Sequence, residues 1–494
     1  MANWREISES RLAQFSCFLL FALAIRAAAL ADWFYDVDDQ LYILIGQRML
    51  RGALLYVDLW DRKGPALYLT YAAVAALSSS LMAFRLAAVL AAALGGYGIN
   101  RIARLIAAPQ GAMLAGLAYC TLLGEYGGGG GQAPVFYNLP MIAAAWCLAT
   151  RLDLLSRGHV DARVVAGMLS AGIAIMFKQS ALIESVFFGV TVMIFLARSG
   201  IAASRVWQTA AMLALVGATP TLAAVLFYAG IGHFPELWQA TVLSNFSRNY
   251  NLDNSRLARL GLFTLHLALP LGIAVLGFLS SRKSTVTMQP LYFVAAWAIV
   301  AIAAVLVVPN IFDYYALPLL APLCLLGAGL YSRRDIGLLA GLGLISVILV
   351  SGHVLDFGLR AQSRNQGDAI ADYVRRETPH RHLLVFGEAA FLYVLTDAPL
   401  PSRLTFPPHL YDTAELHASP LDPVREVHRI LAQRPETVVL DEPLSLQQAN
   451  PDTVSPVVHY AHACPRVRRF VVNDYYGTAH QAVAVYSGCA VRAM

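Results

Sequence analysis

The stretch 32-DWFYDVDDQLYILIGQRMLRGALLYVDLWDRKGPALYL-69 carries six aspartates, Asp32, Asp36, Asp38, Asp39, Asp58 and Asp61, and closes on Lys63-Gly64-Pro65. It follows one apolar run and leads into another, so a carboxylate-rich loop sits between segments of membrane character. Asp36, Asp38 and Asp39 fall just past the first apolar run, where neighbouring carboxylates repel one another and raise the proton affinity of at least one of them. That chemistry suits a general base or a metal. A solvated acidic loop is the plainer reading, and the surroundings of the cluster have to decide between them.

Outward from this stretch the chain is mostly apolar. Of 494 residues, 58% are hydrophobic and 14% charged, against roughly 25% charged in a soluble domain, which indicates an integral membrane protein. The net charge of +5 is small, and the arginines stand singly or in pairs rather than in a basic stripe. Nucleic acid is therefore excluded as a partner. Apolar runs occur near 14–31, 84–106, 111–124, 135–151, 163–178, 180–197, 206–229, 260–280, 290–308, 314–331 and 335–355. The first lacks a small-residue cleavage site and is expected to be a retained helix. Arg5 and Arg11, Arg101 and Arg104, Arg151, Arg157 and Arg163, Arg198 and Arg205, Arg282 and Lys283, and Arg333 and Arg334 mark every second connection, as cytoplasmic loops do. The segment "ALYLTYAAVAAL", 66–77, breaks this alternation if it spans. At roughly 10–14 apolar residues it is better read as interfacial, within a first outer loop covering 32–83.

The parity then closes on an α-helical polytopic bundle of about eleven transmembrane helices, residues 1–355, with the N-terminus in the cytoplasm. Residues 356–494 form a small α/β domain outside it, periplasmic for a bacterial inner-membrane protein. In this tail "HLLVFG", "TVVLDE" and "AVAVYSG" read as short buried strands and "DPVREVHRILAQR" as a helix behind an acidic start. The tail has no glycine-rich phosphate loop, no metal-spaced Cys/His set and no Ser-His-Asp arrangement, so a structural or substrate-positioning cap is expected. Cys17, Cys120, Cys147 and Cys324 lie in apolar runs and read as packing. Cys464 and Cys489 lie in the tail and, outside the cytoplasm, can form one disulfide.

The order of acidic cluster, Tyr42, a helix ending in Leu50-Arg51-Gly52, Tyr56, Asp58, and Lys63-Gly64-Pro65 leading into an interfacial helix resembles the first outer loop of the GT-C glycosyltransferases. The likeness is to the bacterial, family 39-like branch related to the protein O-mannosyltransferases and the lipid A aminoarabinose transferases. It is specific in residues 35–69, with weaker echoes at "MFKQSALIE" and "FDYYALPLLAPL", and departs from the family in having a second aspartate, where glutamate is common, and Gly64 in place of a proline. The resemblance implies a polyprenyl-phosphate sugar donor, a glycan, lipid or protein acceptor, membrane lipids as partners and an active site at the outer membrane face. It assigns Asp38 or Asp39 to the base or acceptor-orienting role and Lys63 to the donor phosphate; Asp36, in the same cluster, is a further catalytic candidate from its position alone. No cofactor is certain. A divalent ion (Mg or Mn) on Asp36, Asp38 and Asp39 stays open.

Such a transfer needs a base near the attacking hydroxyl and a cation near the departing phosphate. Further candidates fit that scheme. Lys178 and Arg26, at outer helix ends, are candidate phosphate ligands, against the alternatives of a snorkelling lysine paired with Glu184 and a structural arginine. The second outer loop, "GEYGGGGGQAPVFYNLP", offers Glu125 beside five glycines, whose missing Cβ lets backbone approach a ligand or lets a loop move. "PNIFDYY" offers Tyr314 and Tyr315, as sugar-stacking or interfacial aromatics. The loop 230–258 is longer than the roughly 12–15 residues of ordinary connections and offers His233 and Arg248. The competing function, a lipid or sugar transporter or flippase, is disfavoured because charges gather at the outer rim rather than at mid-membrane.

Overall fold

The computed structural model describes residues 10–248, 255–282, 288–307, 311–442, 449–473 and 480–489. Arg5, Lys283, Pro309, Asn310 and positions 249–254 of the long loop lie outside these. In chain order the principal helices are α1 (Arg11–Arg26), α2 (Val37–Leu50), α3 (Pro65–Leu77), α4 (Leu81–Ala103), α5 (Pro109–Leu123), α6 (Ala133–Ala149), α7 (Ala162–Ile175), α8 (Ala181–Arg198), α9 (Ala203–Gly230), α10 (Ser255–His266), α11 (Ala268–Ser281), α12 (Met288–Val307), α13 (Leu317–Tyr331), α14 (Gly337–Ser351) and α15 (Phe357–Glu377). Each apolar run read from the sequence coincides with a helix, and the run 260–280 is the bent pair α10 and α11, angled by 54°. Among the described residues six helices are long and apolar enough to cross a membrane, or up to seven with the bent pair. The chain is a multi-pass membrane protein with a mostly helical bundle and a small C-terminal sheet.

The chain divides into two compact units. The first, 1–27, 86–226 and 252–355, is the bundle. Its centre is α13, buried along nearly its whole length. Small residues let helices touch there: a Cβ on Gly277 would lie 2.2 Å from the Leu326 carbonyl oxygen, and one on Gly329 would lie 2.2 Å from that of Gly277. Backbone-to-backbone packing of this kind takes the place of the hydrophobic effect between helices in lipid.

The second unit joins 28–85 and 227–251 to 356–494. Its four-stranded sheet has the order β1-β2-β4-β3, from β1 (Leu383–Phe386), β2 (Thr437–Glu442), β3 (Arg466–Asn473) and β4 (His480–Ser487). β1 and β2 are parallel, and the other two pairings are antiparallel. The acidic start foreseen at "DPVREVHRILAQR" is an N-cap: Asp422 accepts from the N–H groups of Val424 and Arg425, ahead of the helix Pro423–Ala432. Cys464 and Cys489 are bonded, joining the residues that flank the β3–β4 pair.

The acidic stretch is built into this second unit. Asp32, fully buried, accepts from the Ser363 hydroxyl at 2.6 Å and lies 3.3 Å from Nη1 of Arg360 on α15. Gln40 donates to the Trp33 carbonyl (2.8 Å) and accepts the Phe391 N–H (3.0 Å), while the Trp33 ring stacks on Phe391. The Trp60 N–H reaches the Arg403 carbonyl at 2.8 Å. Ties between segments more than 300 residues apart thus hold the loop as part of a folded domain.

Candidate active site

Helix α2 begins at Asp36 for a local reason. The residue is extended (φ −153°, ψ 113°), and its Oδ1 accepts from the N–H groups of Asp38 (3.1 Å) and Asp39 (3.3 Å). That contact satisfies orphan donors of the helix and places negative charge at its positive end. Burial and the charge of Asp39 push the Asp36 carboxyl well above the usual carboxylate range, against the pull of Arg85. Asp39 is 1% exposed and is paired with Arg85, whose Nε lies 3.1 Å from Oδ2. Asp38 is half-buried. The three carboxylates therefore occupy three settings: a helix cap, an internal ion pair and an accessible position.

Among the described residues no group of three or more His, Cys, Asp or Glu side chains is arranged to hold a metal ion. In this arrangement Asp36 caps a helix through Oδ1 and Asp39 faces Arg85.

Lys63 is held from several sides. Tyr56 occupies the left-handed region (φ 69°) and its hydroxyl donates to the Lys63 carbonyl at 2.8 Å. Such a backbone costs a residue with a Cβ about 1–2 kcal/mol, so this turn is enforced by its surroundings. Gly64 and Pro65 then start α3, with proline at the first helical position. The ammonium lies 3.5 Å from Oδ2 of Asp61 and 4.8 Å from the centre of the Tyr42 ring, within cation–π range. Asp61 is buried and also receives the Tyr68 hydroxyl and the Arg62 N–H. Burial alone would raise its pKa, but Lys63, His409, the Tyr68 hydrogen bond and Arg62 outweigh it and hold the carboxyl at about 2. Burial likewise opposes the Lys63 ammonium; Asp61 and Asp38 overcome it, and Lys63 titrates above its ordinary value. The result is a cation in a part-buried site, where its action on an anion is stronger than in open water.

Tyr42 is fully buried, edge-on to Tyr68 and Tyr71, and its hydroxyl has no hydrogen-bond partner among the described residues. Burial, then Asp38, Tyr68, Asp61 and Asp36, push its phenol well up, so it stands as a neutral hydroxyl. Arg248 lies 3.0 Å from Glu415, which also binds Arg62, and His233 lies 3.4 Å from Glu236.

The bundle unit carries the other candidates. Arg26 donates to the Gly128 and Gly129 carbonyls, both at 2.8 Å. The glycine run is a packed feature rather than a loose one: Gly128 to Gly131 are buried, Gly127 has φ 75°, and a Cβ on Gly128 would lie 2.7 Å from the Leu123 carbonyl oxygen. The Lys178 ammonium lies 5.4 and 4.9 Å from the ring centres of Tyr314 and Tyr315, so three residues selected separately from the sequence meet. Glu184, weighed as a partner for Lys178, accepts the Trp297 indole N–H at 2.5 Å. Glu125 lies 2.9 Å from Nε2 of His266, whose other ring nitrogen is 4.0 Å from Asp313.

Four charged or titratable residues with central positions in these clusters were not selected from the sequence: Asp61, Arg85, Glu415 and His266. Arg85 had a signal, a single charge inside the apolar run "LMAFRLAAV". Asp61 had another, an acid two positions before the lysine. Glu415 and His266 stand in unremarkable sequence and are brought in by the fold.

No family profile and no curated protein matches the sequence. Solved structures do match. ArnT from Cupriavidus metallidurans, in the apo state, is 16% identical, with a TM-score of 0.58 over 96% of this chain and 98% of that one. The apo oligosaccharyltransferase of Archaeoglobus fulgidus is 11% identical, with a TM-score of 0.50 over 89% of this chain and 70% of that one. At such identities the likeness speaks for the fold. The chain has the fold of the GT-C membrane glycosyltransferases.

Proposed function

We propose that the protein is an integral membrane glycosyltransferase that moves a sugar from a polyprenyl-phosphate-linked donor to a glycan, lipid or protein acceptor at the outer face of a bacterial inner membrane. The observation that carries this reading is the Lys63 ammonium, kept charged by Asp61 and Asp38 in a largely buried setting, on a chain with the GT-C fold. In the proposed reaction the acceptor hydroxyl gives its proton to Asp38 as its oxygen bonds to the anomeric carbon. The bond from that carbon to the phosphate oxygen breaks, the electron pair leaves with the polyprenyl phosphate, and Lys63 stabilises the charge that develops there. Asp38 is preferred over Asp39 because Asp39 is committed to Arg85, and Asp36 is assigned to positioning through its cap.

The phosphate-binding roles of Lys178 and Arg26, and the substrate-binding roles of Tyr42, Glu125, His233, Arg248, Tyr314 and Tyr315, are read from residue type and position at outer helix ends and in outer loops, and are part of this proposal. So are the topology of eleven spans with a cytoplasmic N-terminus, and the functional division into a catalytic bundle, 1–355, and a periplasmic domain, 356–494. The Cys464–Cys489 bond supports an oxidising compartment for the latter. The test is transfer from a polyprenyl-phosphate sugar in detergent by wild type and by Asp38→Asn. Loss of transfer with the fold retained supports the proposal. Activity seen only across a sealed bilayer would instead favour transport of the lipid or sugar.

A further inference from the structure

Within the second unit, helix α3 turns Leu67, Tyr68, Tyr71 and Ala72 inward. Its other face, Leu69, Ala73, Ala76 and Leu77 at helical spacing, is exposed among the described residues, Leu77 by 88%. The helix carries no charge, and a helix apolar all round belongs in a core or in lipid. This outer face is not in the core, so acyl chains are its natural cover. The end of α2 lies beside it. Gln47 donates to the Ser79 carbonyl (3.2 Å), just past α3, Leu50 is likewise exposed, and Arg51 follows Gln47 by one helical turn, about 5.4 Å.

At that border cations outnumber anions. Asp397 receives Arg51, Arg381 (2.8 Å) and Arg48 (3.4 Å), so three guanidinium groups share one carboxylate. Arg48 is also engaged with the Ala398 carbonyl (2.6 Å), and Arg375, which donates to the Leu395 carbonyl, is balanced by Asp372. Arg51 and Arg381 are half-exposed. An uncovered apolar face bordered by surplus arginine charge is the arrangement of a surface that lies on a bilayer and reaches up to headgroup phosphates.

We propose that Arg51 and Arg381 hold the headgroup of an anionic phospholipid whose acyl chains lie along α3. A zwitterionic headgroup would bring its own cation to a place that already has an excess. The inference rests on α3 being interfacial and is independent of the glycosyltransferase reading. The test is native mass spectrometry of the full-length protein in detergent, titrated with phosphatidylglycerol or with phosphatidylcholine of the same chains. Phosphatidylglycerol is expected to bind more tightly. Arg51→Gln with Arg381→Gln is expected to weaken its tightest site about 25-fold, at about fivefold for each arginine near a membrane surface. Arg425→Gln with Arg466→Gln removes the same charge from exposed positions elsewhere on the unit and should leave that site unchanged. If the first pair unfolds, Arg51→Gln alone, with Arg48 and Arg381 still on Asp397, carries the test at about fivefold. No preference for phosphatidylglycerol, a preference that survives loss of these arginines, or an equal loss in the Arg425 and Arg466 variant overturns the proposal. Displacement of the lipid by inorganic phosphate also overturns it, since the arginines would then be a plain anion site.

Discussion

Lys63→Met keeps the length of the side chain and removes its charge, so it separates electrostatics from packing. Its effect on stability follows from Asp61, whose carboxyl is held at about 2 against an ordinary 3.8. That depression corresponds to roughly 2 kcal/mol, and Lys63 is the leading favourable contributor. The variant is therefore expected to lose about 1–2 kcal/mol of stability at neutral pH. A depressed carboxylate contributes fully above its unfolded value and loses its contribution as pH falls through the folded one. The raised Lys63 contributes below its unfolded value and loses that contribution as pH rises through the folded one. The stability gap between wild type and variant should thus be flat from pH 5 to 9 and narrow only below about pH 4 or above about pH 10.5. The effect on catalysis is larger. Removing one preorganised partner of a developing anion costs about 10²–10³ in kcat, and Lys63→Arg, with the charge restored in a different shape, should fall between. Steady-state transfer and thermal unfolding in detergent, measured on the same preparations, read both effects. A folded Lys63→Met with kcat within about threefold of wild type would refute the assignment of this cation to the leaving group.

Asp38→Asn is expected to abolish transfer at a small cost in thermal midpoint, since Asp38 stands behind Asp61 in supporting Lys63, whereas Asp39→Asn is expected to destabilise more, because it removes the carboxylate facing the buried Arg85; circular dichroism melts with transfer rates distinguish the two. Asp32→Ala should cost about 3 kcal/mol, the lower end for a broken buried pair, since the Tyr35 ring still faces Arg360 at 4.7 Å. The double change with Arg360→Met should cost less than the sum of the single changes, and strict additivity in a thermal double-mutant cycle would contradict that pairing. Cys464→Ser should lower stability by about 3 kcal/mol for a loop of this size; a reductant should lower the wild-type midpoint and leave that of the variant unmoved.

Hydrophobic runs were enough to locate the helices of the bundle, because in lipid each spanning segment has to satisfy its own backbone hydrogen bonds and so announces itself by composition, whereas the polar helices Phe357–Glu377 and Pro451–His462 were not read from the sequence. Helix Pro65–Leu77 was recognisable as short, and the strands Leu383–Phe386 and Thr437–Glu442 as continuous buried runs. β3 was not legible: "RVRRFVVN" exposes most of its residues, so it has neither an apolar run nor clean alternation. The union of residues 28–85 with the C-terminal domain was hidden for a different reason. It is made by contacts such as Asp32–Arg360 and Gln40–Phe391, across more than 300 residues, and local pattern carries no trace of them. The same limit applied to the site. The cluster of acids and the lysine stood out by residue type, but the separation of Asp36, Asp38 and Asp39 into cap, accessible carboxylate and ion pair depends on Arg85 and on the start of α2. At Gly128 the missing side chain serves close packing, a use that the composition of the glycine run does not announce.

The most direct measurement is a structure of the full-length protein with a polyprenyl monophosphate bound. The phosphate oxygens are expected within about 4 Å of the Lys63 ammonium, an ion-pair distance, with the Asp38 carboxylate facing the space next to the phosphate where the anomeric carbon would sit. A phosphate bound out of reach of Lys63, or Asp38 turned away from it, would contradict the account.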